Sequence, residues 1–171
     1  MRHQSNPQVQ LYTAEQRHRR NRSPWTAVQG ILAPLQFLAF AISLVLVLRC
    51  LHSGTGVAAA NISVLVKTGF LYAIMVTGSL WERDVYGEWL FAAPFFWEDL
   101  VSMLVIALHT AYVVALFMHW LPAPKLMVLA LAAYFTYVVN AGQFLLKFRA
   151  ARLGTQRVAP RVSLQRAGAV K

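Results

Sequence analysis

Phe95-Phe-Trp-Glu-Asp-Leu-Val-Ser-Met-Leu-Val-Ile-Ala-Leu-His109 sets an acid pair, a hydroxyl and an imidazole inside one otherwise apolar run. Wound as a helix at about 100° per residue, Ser102 falls about 40° from Glu98, His109 about 20°, and Tyr112 about 40° to the other side. Acid, hydroxyl, imidazole and phenol therefore share one stripe, with Asp99 on its shoulder. Ionisable groups within a membrane span are costly and face a bundle interior or a cavity. The stripe predicts a spanning helix that forms one wall of a site.

The rest of the chain supplies the other walls. Of 171 residues, 58% are hydrophobic and only 13% charged, about half the charge of a soluble domain. The apolar residues fall in four long runs, about 25–48, 57–80, 95–120 and 125–148. The fold class expected is an all-α integral membrane protein, a four-transmembrane-helix bundle (residues 23–150) with both termini cytoplasmic. A basic segment, 1–22, precedes it and a basic disordered tail, 151–171, follows. The net charge of +10 comes mainly from these tails. It reads as topology and anionic-lipid charge, not as a nucleic-acid surface. Cys50 is the only cysteine, so no internal disulfide or thiolate metal cluster is expected. The first apolar run is too long for a cleavable signal peptide.

Within the N-terminal segment, Thr13 and Gln16 form a capping box for a short interfacial helix, Ala14 to Arg22. Ser23 and Pro24 then read as N-cap and first residue of span 1. Gln29, Gln36 and Ser43 recur every seven residues and share a face, either for interhelical hydrogen bonds or to line a site. Lys67 lies near the middle of span 2, where insertion costs about 2.5–3.5 kcal/mol, so it needs a partner or a cavity. Residues 81–93 alternate aromatic and charged groups, with Trp81, Glu82 and Arg83 at the start. They read as an interfacial connection, an aromatic belt or a re-entrant lid. Span 4 carries Tyr134, Tyr137, Asn140 and Gln143 among small residues that allow close helix approach.

Depth sorts the polar residues. At 1.5 Å per residue, Glu98, Gln29 and Gln143 lie about 5–8 Å below the cytoplasmic interface, Ser102 and Asn140 about 10–12 Å, and Gln36, Lys67 and His109 about 16–21 Å. A pocket open to the cytoplasmic side is expected, acids at its mouth, Lys67 and His109 at its floor. Apolar walls suit a large, flat ligand. Glu98 and Asp99 suit acid–base work; the competing reading is that acids in a first turn only complement the helix dipole. His109 reads as an axial ligand to a metal macrocycle, a proton carrier or an interhelical histidine. No phosphate loop, dinucleotide fingerprint, zinc-protease motif or serine triad is present, so no cofactor and no metal of the protein's own is expected.

Several spaced motifs resemble one family: Leu11-Tyr12-Thr13, Ser23-Pro24-Trp25, Gln29-Gly30, Lys67-Thr68, Thr77-Gly78, Trp81-Glu82, Phe95 to Asp99, His109-Thr110, and Val139 to Lys147. Together they are similar to the vinyl bacteriochlorophyllide hydratases of bacteriochlorophyll biosynthesis, over roughly residues 11–154. The resemblance implies a hydro-lyase without a redox cofactor, converting the 3-vinyl group of a chlorophyllide-type tetrapyrrole to a 3-(1-hydroxyethyl) group. The implied setting is the bacterial inner, photosynthetic intracytoplasmic membrane. Membrane lipid, pathway enzymes and a second copy of the chain are candidate partners. Under that reaction Glu98, Asp99 and His109 are the catalytic candidates, His109 also as axial ligand to the substrate's magnesium. Lys67, Trp81, Glu82, Arg83, Trp97, Ser102, Gln29, Gln36, Asn140, Gln143 and Arg149 are the candidates for substrate binding. The alternative is a non-enzymatic membrane anchor or carrier for haem, quinone or pigment.

Overall fold

The computed structural model describes residues 11–168, with side chains from 11 to 149. The outermost residues of the two expected tails, 1–10 and 169–171, lie outside it. Five helices follow in order: α1 Ala14–Arg22, α2 Pro24–Ser53, α3 Val57–Tyr86, α4 Phe96–Phe117 and α5 Ala123–Gly168. Among the described residues there is no strand. Four segments, α2, α3, α4 and Ala123–Arg149 of α5, are long and apolar enough to cross a membrane. The backbone of α5 continues as helix beyond residue 150, where a disordered tail was expected.

Local signals account for most of the helix ends. Thr13 caps α1 through a full capping box with Gln16. Gly54, at φ 67°, closes α2, and Gly87, at φ 85°, closes α3; a left-handed backbone at a helix C-terminus suits glycine. The α3 boundary corrects the sequence reading: the helix runs to Tyr86 instead of ending near residue 80. Trp81, Glu82 and Arg83 therefore sit on its last turns, and the true connection is 87–95. Ser23 also departs from expectation. Its hydroxyl does not cap α2 but donates to Asp84 Oδ2 at 2.7 Å, tying the start of α2 to the end of α3.

In the bundle, α2 packs chiefly on α3 and α4 on α5, while α2 and α5 join the two pairs. The α3–α4 seam is the loosest of these neighbours. The core includes Phe40, Val47, Val64, Val105, Tyr112 and Met127. Large apolar side chains such as Ile31, Phe37, Val45, Phe135 and Leu145 stay exposed, as a lipid-facing surface requires. Lipid is as apolar as these side chains, so apolar burial drives helix association weakly there. Packing and interhelical hydrogen bonds, the latter worth about 0.6 kcal/mol each on average, must contribute. Gln29 Nε2 donates to Ile74 O and Thr77 Oγ1 at 3.0 and 2.7 Å. Tyr112 donates to Asn61 Oδ1 at 2.8 Å. Ser63 donates to Ala60 O, so Ser43 must donate to Ser63, and Tyr134 to Ser43.

A second, aromatic core closes the α1 end. Tyr12 stacks on Tyr86 and meets Trp81 edge-on, and Phe95 packs against Trp81, Tyr86 and Phe144. Tyr86 also donates to Leu11 O at 3.2 Å. Burial in this cluster pushes the Tyr12 phenol up from its ordinary value, with Arg20 opposing. The segment before α2 is thus packed against the bundle, over the same end as the acids of α4.

Candidate functional site

The stripe on α4 faces inward along its length: Glu98, Asp99, Ser102, His109 and Tyr112 are all buried. Each then meets a different partner, and the polar interior divides into three levels.

At the α1 end, three buried carboxyls meet. Glu98 forms an ion pair with Lys147 of α5, whose amine also donates to Pro94 O. Asp99 Oδ2 accepts the Phe91 N–H at 2.9 Å, and Glu82 Oε2 accepts the next amide, that of Ala92, at 3.1 Å. Consecutive amides necessarily bring Glu82 and Asp99 together; Asp99 also faces Glu98 and Lys147. Phe91 adopts φ 61°, a left-handed conformation that costs a non-glycine residue about 1–2 kcal/mol. The two carboxyls hold the loop in that shape. Sequence reasoning missed Lys147 as a site residue. Its signal was periodic: Asn140, Gln143 and Lys147 recur at i, i+3 and i+7 on one face of α5.

One level deeper, Ser102 donates to Glu98 O at 2.9 Å and accepts from Asn140 Nδ2 at 2.7 Å. The Asn140 Oδ1, Gln143 Oε1 and Gln36 Oε1 atoms are buried without a donor among the described residues. Such a group costs about 1–3 kcal/mol if left unpartnered.

At mid-bundle, Lys67 Nζ lies 2.6 Å from His109 Nε2. Both residues are fully buried. His109 Nδ1 lies 2.8 Å from Val105 O, which can only accept; this assigns the proton to Nδ1 and leaves Nε2 to accept from Lys67. Lys67 also sits 4.1 Å over the Tyr137 ring. The lone pair that a metal would use is therefore engaged, and axial ligation by His109 requires Lys67 to leave it.

The remaining candidates are spread out. Gln29 is spent on the α2–α3 contact. Trp81 belongs to the aromatic core and donates from Nε1 to Thr26 Oγ1 at 3.0 Å. Trp97 is 68% exposed. Arg149 is exposed on α5. Arg83, also exposed, lies 4.3 Å over the Trp89 ring. Two concavities open on the outer surface. One, of about 350 Å³, is lined by α2 and α3 residues including Leu38, Ile42 and Phe70. The other, of about 280 Å³, lies in the α3–α4 seam and is lined by Met75, Val76, Ser79, Trp89, Leu90 and Met103, among others. None of the three carboxyls lines it, but two of its wall residues are close to them along the chain: Leu90 precedes the two clasped amides, and Met103 lies one turn from Asp99.

Residues 12–150 match the family described as 2-vinyl bacteriochlorophyllide hydratase. A protein of that name from Rhodobacter capsulatus is 63% identical over 143 residues, 84% of this chain and 83% of the relative. Another from Cereibacter sphaeroides is 63% identical over 147 residues, 86% of this chain and 91% of the relative. No solved structure matches.

Proposed function

The chain belongs to the 2-vinyl bacteriochlorophyllide hydratase family, and from that premise we propose that it is a hydro-lyase adding water across the vinyl group of a bacteriochlorophyllide-type macrocycle. Position 2 in the family name and position 3 used above are the same ring position under two numbering conventions. The family match carries the reaction. The buried acid cluster beside the α3–α4 concavity carries the assignment of the site.

The flat ring enters from the bilayer and lies along the seam, against Met75, Trp89 and Met103. Its vinyl edge points to Asp99 and Glu82. Asp99 delivers a proton to the terminal vinyl carbon, leaving a cation on the adjacent carbon that the macrocycle delocalises. A water oxygen bonds to that carbon and releases one proton to a carboxylate, which restores the acid. The Glu98–Lys147 pair behind Asp99 holds and returns the proton. Arg83, beside Trp89 at the rim, is placed to meet an ionised propionate at the surface. His109, held by Lys67, orients the interior and does not ligate the magnesium. The setting is a photosynthetic inner membrane, with the acid cluster on its cytoplasmic side.

Membranes containing the protein, given a vinyl bacteriochlorophyllide, yield a pigment heavier by one water. General acid–base groups contribute about 10²–10⁴ in rate, so Asp99→Asn and Glu98→Gln each lower turnover at least about a hundredfold. Arg83→Ala raises KM and leaves kcat near the parent value. Full turnover in Asp99→Asn removes Asp99 from the chemistry.

A further inference from the structure

The unpartnered acceptors are not scattered. On α2, Gln36 precedes Phe40 by one turn, and the Phe40 ring packs on Tyr134 and Tyr137 of the antiparallel α5. On α5, Asn140 follows Tyr137 by about one turn. The register therefore brings Gln36 and Asn140 to one level of the core. Lys67 reaches toward it from mid-bundle, its amine over the Tyr137 ring, about one turn of α5 from Asn140. Relative exposure is 3% at Gln36 and 8% at Asn140.

The supply of protons at this level is uneven. The Ser102 hydroxyl is committed to Glu98 O and the Thr68 hydroxyl to Val64 O. Neither can serve Asn140 Oδ1 or Gln36 Oε1. Lys67 has the opposite imbalance: one N–H goes to His109, and a lysine amine carries at least one more. Acceptors lacking donors thus share the bundle core with a donor that has protons to spare. A water gives two hydrogen bonds and takes up to two, and buried waters settle where two to four polar groups converge. Further along α5, Gln143 Oε1 repeats the pattern one turn closer to Lys147.

We propose that Gln36, Asn140, Gln143 and Lys67 bind a file of waters in the bundle core, leading from Lys67 to the Glu98–Lys147 pair and supplying the water that adds to the vinyl group. The supply role rests on the hydratase reading; the water file does not. It gives a membrane-embedded site a source of water that does not cross the apolar seam holding the pigment. It also gives Lys67 and His109 a role that needs no contact with the ring.

Radiolytic hydroxyl-radical footprinting of the full-length protein labels buried side chains that touch bound water. Tyr137, although buried, is expected to be labelled in the wild type, and Gln36→Met and Asn140→Leu are expected to remove most of that label. The same variants are expected to slow vinyl hydration at least about tenfold through a misplaced water, with KM for pigment unchanged. An unlabelled Tyr137 in the wild type overturns the water file, whether or not the variants fold. Loss of label with full turnover overturns the supply role. A labelled Tyr137 in a protein that never hydrates vinyl pigment leaves the file standing and removes the hydratase reading instead.

Discussion

Lys147 ties Glu98 of α4 to α5 through an ion pair. Both side chains lie at the α1 end, Glu98 8% and Lys147 25% exposed. Breaking a fully buried pair costs about 3–5 kcal/mol because one charge is left without a partner. Partial exposure lowers that to about 2 kcal/mol, on the order of 5 °C in a domain of this size. Lys147→Met is therefore expected to lower the midpoint of thermal unfolding in detergent by about that much, with Lys147→Arg recovering most of it. An unchanged midpoint in Lys147→Met means the pair is not formed in solution. Counting rise per residue put Ser102 and Asn140 at one depth and Lys67 and His109 at another, and within each depth these residues do meet. Rise per residue is fixed, so depth along antiparallel spans can be counted. Azimuth cannot, and for that reason Lys147 was not matched to Glu98. The three donorless acceptors were equally out of reach, because orphaning depends on where every neighbouring proton goes.

The end of α3 is the element on which the acid site depends. Reading 81–93 as a connection left Glu82 among solvated charges. On a helix that lasts to Tyr86 it turns inward and meets Asp99. Alternating aromatic and charged residues fit both readings, and only Gly87 favoured the longer helix, as a left-handed C-terminal glycine. The loop that follows is short and held by few bonds: Phe91 and Ala92 amides on the two carboxyls, and Ser79 Oγ on Trp89 O. Because Phe91 is strained, the loop should relax once a clasp is lost. Glu82→Ala is expected to speed chymotrypsin cleavage at Trp89 and Phe91 severalfold, as local opening gains population, while cleavage elsewhere stays at the parent rate. Equal cleavage of variant and parent means that the clasp does not hold the loop. The same relaxation unseats Leu90 and Trp89 from the concavity, so pigment affinity should fall with it.

Orientation belongs to the whole molecule, since it assigns the acid cluster to one compartment. Arg17, Arg19, Arg20 and Arg22 of α1 share an end with Lys147 and Arg149, whereas among the described residues the opposite end has Arg49 and Lys125 as its only lysine and arginine. Positive charge flanking spans stays cytoplasmic, so the orientation proposed above would put the acid cluster, Arg83 and the 87–95 loop on that side. An ionised propionate would then emerge where soluble enzymes could reach the pigment, and the water file would open to the same compartment as its solvent. The single cysteine makes this measurable. Cys50 is buried at the far end of α2, and Cys50→Ser gives a background in which one introduced thiol reports its own side. Thr55→Cys, in the turn between α2 and α3, should react in intact cells with a maleimide that cannot cross the inner membrane. Glu88→Cys, in the acid-end loop, should react only after the cells are opened. The reverse pattern would invert the bundle and move the acid cluster to the periplasmic face. The Arg83–propionate contact would then have to form on that side, although the packing inside the bundle would be unchanged.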